Sequence, residues 1–551
     1  MTYLKSFLVF YLEQIVCSAA LFLAATNPCW AQFDPAKTLQ EPPQVAQRFP
    51  DPEVRYPTPA FQPGRADLTS HAEVLAFLES LARQSSRIQV QTIGQSQRGL
   101  PMPMALLSAK GYNPALPTVM VIAQQHGNEP AGGEAALALA QQLAGPRSAL
   151  LEATNVLIIP RGNPDGAERF VRATHSGVDV NRDHLLLRTP EARAIAAATL
   201  RYPPQVVLDL HEFTVAGRWV DKFAAMQKYD ALVQGASVGN LHAPLAAATQ
   251  TGYVDRLHQV WAANGLASFA YHTTSPDVAD KTVAMGGVQP DTGRNTSGLR
   301  PAVSLLVELR GVGLGRAHLL RRVHTGVLAG LAVVETAAAQ GDTLTNLVRQ
   351  AGADTAAAAC QGDLVIAARH QAVRQAMVFV DATTGADKTV EVDWRAATPL
   401  EVLRTRPRPC GYLLAASQTD ALQRLRLLGV RMQPVMQAAP WVLERYAVTS
   451  ENNGQRQDAR GAIDDGGDAN IRLLQVGTAR DDQVIAPGSA IYVPMDQPLA
   501  GLVAAALEPD SQSSYAANRL LHLAANSGPQ VNRATLWRVL AKPVADLLGP
   551  R

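Results

Sequence analysis

His126-Gly127-Asn128-Glu129 closes an apolar run, Pro117-Thr118-Val119-Met120-Val121-Ile122-Ala123, and precedes a helical pattern that runs from Gly133 to Leu143. Five consecutive apolar residues, Val119 to Ala123, after the breaker Pro117 read as a buried strand. A histidine and a carboxylate three residues apart, just past the end of such a strand, can turn into one cleft. That is what a zinc ion needs from its first two ligands. The spacing differs from the helical His-Glu-x-x-His pattern, so the two ligands are not expected to lie on one helix face.

A third ligand is expected far away in sequence and again at a strand end. Gln205-Val206-Val207-Leu208-Asp209-Leu210 is such a strand and His211 follows it. His126, Glu129 and His211 make two histidines and one glutamate with the fourth position open, the form of catalytic zinc sites, whereas structural sites are closed by four protein ligands. The competing reading of His211 alone is a hydrogen-bonded core histidine. Hydrolysis also needs a general base. Val303-Ser304-Leu305-Leu306-Val307 reads as a buried strand ending at Glu308, and burial raises a carboxylate's pKa toward the range suited to proton shuttling. The alternative for Glu308 is a salt bridge with Arg310. Asn163-Pro164-Asp165-Gly166 is a turn by its own chemistry. Arg169, Arg172 and Gly177-Val178-Asp179-Val180-Asn181-Arg182 follow, and Asn181 beside Arg182 offers an amide and a guanidinium that can hold a planar carboxylate at two points. Read one at a time, these arginines are a solvated surface set.

Taken in order, these motifs resemble the zinc metallocarboxypeptidase family, with its carboxypeptidase A-like fold. The family carries H-x-x-E, N-P-D-G, an arginine, D-x-N-R, a distant histidine and a late glutamate, and Ile93-Gly94-Gln95-Ser96-Gln97-Arg98-Gly99 looks like its I-G-x-S-x-x-G motif. The resemblance covers roughly residues 55 to 335. It implies one zinc ion per chain held by His126, Glu129 and His211, and Asp179 orienting the first histidine through its other ring nitrogen. It implies that Asn181 and Arg182 hold the substrate's terminal carboxylate. Arg172, with Arg169 as second candidate, stabilises the oxyanion, and Glu308 serves as base and then acid. The activity implied is hydrolysis of the C-terminal amide bond of peptides, cell-wall peptides included, by Glu308-assisted attack of zinc-bound water. One departure stands out: no tyrosine occurs between Tyr271 and Glu308, where the family carries one about twenty residues before its glutamate. Met285-Gly286-Gly287 through Ser297-Gly298-Leu299 fills that interval, with Arg294 or Tyr271 as substitute donors. The departure motivates a second reading, a zinc deacylase of the same fold acting on N-acyl amino acids. A third is an inactive family member that binds peptides through the same carboxylate fork.

The remaining sequence sets the frame. The chain has 551 residues, too many for one ordinary core, and a formal charge of +2, which argues against a nucleic-acid partner. Residues 1–31 read as a secretory signal cleaved before Gln32, with an uncleaved anchor as the alternative, so an exported, periplasmic or secreted protein is expected. No later run is long and charge-free enough for a membrane span. Removal of the leader leaves Cys360 and Cys410, either a disulfide or two buried thiols. Residues 32–67 are Pro-rich and expected to run extended over the surface. The fold class expected for 68–340 is α/β, a mixed, mostly parallel central sheet with flanking helices. A smaller α+β accessory region is expected for 341–551, its partner not indicated. Within that region Gly429–Met432 reads as a strand and Glu451–Asn470 as a long exposed loop.

Overall fold

The computed structural model describes residues 33–457, 470–523 and 534–550. The leader expected for residues 1–31 lies outside the described residues. Thirteen strands build the first two sheets: β1 (Ile88–Gln95), β2 (Pro101–Leu107), β3 (Thr118–Ala123), β4 (Asn155–Ile159), β5 (Val206–Thr214), β6 (Ala225–Met226), β7 (Ala231–Gly235), β8 (Ser268–Ala270), β9 (His272–Thr274), β10 (Thr282–Met285), β11 (Val303–Val312), β12 (Asp363–Asp381) and β13 (Asp387–Pro407). The main sheet has eight strands in the order β1-β2-β4-β3-β5-β11-β7-β8. Its centre, β4-β3-β5-β11, is parallel, and β2 and β7 flank that centre in antiparallel pairing. The protein is therefore the mixed α/β fold expected from the alternation of its apolar runs.

Strands β3, β4 and β5 are buried on both faces, which is why they read as continuous apolar runs instead of alternating ones. Val119 and Val121 pack toward the helices Pro130–Ala144 and Leu319–Gln340. Met120 and Ile122 face the other way, against Ile195 and Ala198 of the helix Pro190–Arg201. Successive side chains of a strand point to opposite faces, so one hexapeptide serves two cores. The helix His71–Gln84 begins where Ser70 and Glu73 form a reciprocal capping box.

The second sheet has the order β6-β12-β13-β10-β9 and joins strands from both sides of residue 341 through the parallel pairing of β10 with β13. At Gly341, with φ 46°, the chain turns from the helix Leu319–Gln340 into the helix Asp342–Ala357. The rest of the C-terminal region contributes β14 (Gly411–Ala415), β15 (Gln433–Pro434), β16 (Ala439–Trp441), β17 (Leu443–Gln455), β18 (Asn470–Arg480), β19 (Gln483–Ile485), β20 (Ala490–Pro494) and β21 (Leu536–Val539). Its six-stranded sheet packs with Leu185, Leu186 and Leu187 of the N-terminal part in one apolar core.

Three local expectations are corrected. Gly429–Met432 is not a strand: Gly429 takes φ 80° at the end of the preceding helix, and pairing is confined to β15. Glu451–Gln455 belongs to β17 and Asn470 opens β18, so the polar stretch begins and ends inside a hairpin; residues 458–469 lie outside the described residues. Polarity marks solvent exposure and does not exclude a two-stranded ribbon. Residues 33–67 do not simply run extended. They form short turns at Pro43–Ala46 and Pro59–Phe61, where proline fits a first helical turn, and they insert Glu41 against buried Arg310 at 2.7 Å.

Cys360 and Cys410 form a disulfide across a sequence separation of 50. It ties the loop after the helix Asp342–Ala357 to the start of β14. A double Cys360→Ser/Cys410→Ser variant is expected to melt at lower temperature, by an amount consistent with up to ~4 kcal/mol of lost chain-entropy stabilisation. The wild type in reductant should fall to the same value; equal melting with and without reductant in calorimetry would contradict the assignment.

Candidate active site

The loop His126–Glu129 lies against the turn Asn163–Gly166. A Cβ on Gly127 would sit 1.9 Å from the Gly166 carbonyl carbon, so only glycine allows the two segments to meet. Asn163 caps the helix Pro164–Arg169 by accepting from the Gly166 N–H at 2.9 Å, and its amide donates to the Arg172 carbonyl at 3.2 Å. Ser96 of the Ile93–Gly99 segment donates to buried Asp165 at 2.6 Å and fixes the turn from below. These contacts bring Arg172 over the His126 loop. Arg169 ends its helix and does not line the cleft.

His126, Glu129 and His211 converge: their potential ligand atoms all lie within 4.8 Å of one another, and all three side chains are buried. The two Nδ1 atoms are 3.0 Å apart, and the Glu129 carboxylate oxygens lie 2.8 Å from His126 Nδ1 and 3.0 Å from His211 Nδ1. The outer nitrogens are held by carboxylates, His126 Nε2 by Asp179 at 3.0 Å and His211 Nε2 by Asp209 at 3.0 Å. In neutral imidazoles that arrangement places both ring hydrogens outward and both lone pairs inward. Two inward lone pairs and a carboxylate repel unless a proton or a metal cation lies among them, and two nitrogens with a carboxylate around one point are a donor set that fits a zinc ion. Asp209 was missed in the sequence, although Asp-x-His on a strand puts both side chains on one face. Burial opposes ionisation of Asp179, and Arg172 and His126 pull it well below its ordinary value.

His211 is a member of β5 and Glu308 of β11, each strand running several residues beyond them; the two are register partners on adjacent parallel strands. They are therefore strand residues, not residues past strand ends. Burial pushes Glu308 up to about 7, with the Glu129 charge adding to it and His211, His126 and Arg172 opposing. Arg310, the alternative partner of Glu308, is taken by Glu41, which leaves Glu308 facing the cleft. Arg172 Nη1 lies 3.1 Å from His126 Nδ1, and Arg172 Nη2 bonds Asp179 at 2.8 Å. Asn181 accepts from the Gly293 N–H at 2.8 Å, which turns its amide toward His211 Nε2 at 3.3 Å. With the His211 hydrogen given to Asp209, both Asn181 amide hydrogens are available to another acceptor. Arg182 donates to the Asn181 carbonyl at 2.9 Å. Arg172, Asn181, Arg182, Tyr271, Arg294 and Glu308 line one cleft of ≈ 310 Å³ together with His126 and Glu129.

The C-terminal region holds two walls of this cleft from behind. Arg456 pairs with buried Asp291 at 2.5 Å, bonds the Arg182 carbonyl at 3.2 Å and bonds Asn518 at 2.6 Å. Asp291 in turn accepts from Ser513 at 3.0 Å, and its carbonyl accepts from the His184 N–H at 3.2 Å. Sequence reading gave no sign of this, because a lone arginine some 165 residues away carries no pattern.

Residues 74–216 match the family model described as zinc carboxypeptidase, a span containing all three candidate ligands. Carboxypeptidase 2 of Trichophyton rubrum is 27% identical over 519 residues, covering 90% of this chain and 94% of that protein. Carboxypeptidase SOL1 of Arabidopsis thaliana is 30% identical over 156 residues, 25% of this chain and 32% of that one. Among solved structures, a metallo-carboxypeptidase from Burkholderia cenocepacia is similar with a TM-score of 0.38 at 20% identity, over 49% of this chain and 70% of that chain. Residues 74–216 thus match the zinc carboxypeptidase family, and the similarity to carboxypeptidases over most of the chain supports a metallocarboxypeptidase hydrolase. No helix among the described residues is long and apolar enough to cross a membrane.

Replacing Arg456 by Ala leaves Asp291 buried and unpaired, which costs about 3–5 kcal/mol when a buried pair loses one member. The expected outcome is a lower melting temperature and a raised KM with metal content unchanged. An unchanged KM would mean that the C-terminal region does not position the cleft wall.

Proposed function

We propose that this protein is an exported carboxypeptidase that uses one zinc ion to hydrolyse the last amide bond of a peptide, cell-wall peptides included. The observation that carries this reading is the convergence of His126, Glu129 and His211 with Glu308 on the neighbouring strand. A zinc ion in that donor set supplies a Lewis acid that polarises a carbonyl and lowers the pKa of water toward ~7. Glu308 takes the proton from water and returns it to the leaving amine; its burial and raised pKa suit both halves of that exchange. Arg172, anchored by Asp179 with its other terminal nitrogen turned inward, donates to the developing oxyanion. A donor so placed contributes about 3 kcal/mol. Asn181 and Arg182 receive the terminal carboxylate, the former through its amide hydrogens and the latter through its guanidinium. The leader-like sequence of residues 1–31 and the Cys360–Cys410 bond support an oxidising, exported setting. The absence of tyrosine between Tyr271 and Glu308 keeps one alternative, a deacylase acting on N-acyl amino acids, which assays of both substrate classes separate.

Metal analysis combined with mass spectrometry of released amino acids tests the assignment. Wild type is expected to carry one zinc and release C-terminal residues, and His211→Ala to lose both. Retention of full metal by His211→Ala would remove that residue from the ligand set. Glu308→Gln is expected to keep its zinc while turnover falls by about 10²–10⁴-fold, the usual worth of a positioned general base. An active Glu308→Gln enzyme would move the base elsewhere.

A further inference from the structure

Arg294 is a buried cation with no anion of its own. It sits on the first turn of the short helix Gly293–Leu299, lines the cleft, and is 4% exposed. Its Nη2 donates to the Ser237 hydroxyl at 3.2 Å and to the Gly287 carbonyl at 2.8 Å. Its Nε is buried with no partner, and among the described residues its Nη1 makes no hydrogen bond and no carboxylate lies within ion-pair distance. The other buried arginines described here are matched: Arg310 by Glu41 at 2.7 Å, Arg322 by Glu212 at 2.5 Å, and Arg456 by Asp291 at 2.5 Å.

The cleft holds no carboxylate to spare for Arg294. Glu129 is committed to the two histidines, Asp179 to Arg172 and His126, and Glu212 to Arg322. Glu308 shares the cleft without touching Arg294, and its carboxyl is the one held near neutrality. Burial lowers the Arg294 pKa only to about 10, so the group is charged at pH 7. Burying an unpaired guanidinium costs several kcal/mol, and a partner that arrives with the substrate removes that cost. The local backbone is shaped around this group. A Cβ on Gly286 would lie 2.7 Å from Nη1 and 2.9 Å from Nη2, so the glycine lets the guanidinium lie flat against the cleft wall. Gly286 and Gly287 fall in the interval where the expected tyrosine is missing, which leaves that wall open to a side chain of the bound residue.

We propose that Arg294 is a specificity determinant that receives the side-chain carboxylate of an acidic C-terminal residue, glutamate or aspartate, in the substrate. The inference rests on the carboxypeptidase reading, and it assigns the α-carboxylate to Asn181 and Arg182 and the second carboxylate to Arg294. With Nη2 held by Ser237 and Gly287, Nη1 is left to donate a charge-assisted hydrogen bond to a carboxylate, and a site built around such a donor discriminates against an isostere that lacks the charge.

The test uses the zinc-loaded full chain and blocked peptides identical except for the terminal residue: Glu, Asp, Gln, Leu and Lys. Terminal glutamate or aspartate is expected to be released with kcat/KM about tenfold or more above glutamine, the difference lying mainly in KM. Arg294→Gln is expected to bring the Glu-to-Gln ratio close to one or below it, and Arg294→Lys to restore part of the preference. If Arg294→Gln does not fold, the wild-type panel decides, together with the thermal shift of zinc-loaded wild type by free L-glutamate against L-glutamine, where glutamate is expected to stabilise more. Preference for glutamine, leucine or lysine overturns the proposal. An equal loss on every substrate in Arg294→Gln also overturns it, since that is the signature of binding the α-carboxylate common to all. Release of no terminal residue from any peptide would instead bring down the carboxypeptidase reading itself, and this inference with it.

Discussion

Two aspartates on the outside of the site, Asp179 and Asp209, decide what happens inside it. By taking the outer nitrogens of His126 and His211, they leave two imidazole lone pairs and the Glu129 carboxylate facing one another across a few ångströms. Such a cluster is electrostatically unstable by itself and becomes favourable around a divalent cation. The rest of the N-terminal fold is arranged to hold that geometry. The parallel centre of the sheet puts the ends of β3 and β4 and the outer part of β5 and β11 on one edge, and the glycine contact between residues 127 and 166 locks the first two ligands onto it.

Charge pairing in this molecule is distributed so that a few groups remain uncommitted. The N-terminal segment supplies Glu41 to Arg310, which removes the nearest competitor for Glu308. Glu212, next to His211, is neutralised by Arg322 from the helix Leu319–Gln340. Those pairings concentrate the available chemistry in Glu308, Arg172 and Arg294. They also explain why residues 33–67 are not a passive covering: a buried arginine on β11 would otherwise be left without an anion, at a cost of several kcal/mol.

Among its described residues the C-terminal region contributes no ligand or base to the cleft, yet it shares an apolar core with Leu185–Leu187 and sends Arg456 onto Asp291, next to Thr292 of the cleft lining. It works as a backing plate for the two segments, 182–188 and 286–299, that carry Arg182 and Arg294. A relative that spans 94% of its length in alignment with this chain carries the region as well.

The sequence by itself carried the α/β alternation, the apolar strands and His126, Glu129, His211 and Glu308 as candidates, because each follows from local chemistry, a run of apolar residues or a ligand spacing at a strand end; Asp179 entered only through the family resemblance. The sequence also carried the Asp209-x-His211 signal, which depends only on the two-residue period of a strand. Whether Glu308 would pair with Arg310 or face the cleft was open, as was whether Cys360 and Cys410 would bond. The strand lengths past His211 and Glu308, the hairpin at Glu451–Gln455, and the pairings of Arg310, Arg322 and Arg456 were decided only in three dimensions. Each of those depends on contacts between residues tens to hundreds of positions apart, and a solitary charged side chain gives no periodicity or spacing from which its partner can be inferred. The unpaired state of Arg294 is of the same kind, since the lack of a neighbour is a property of the packed molecule alone.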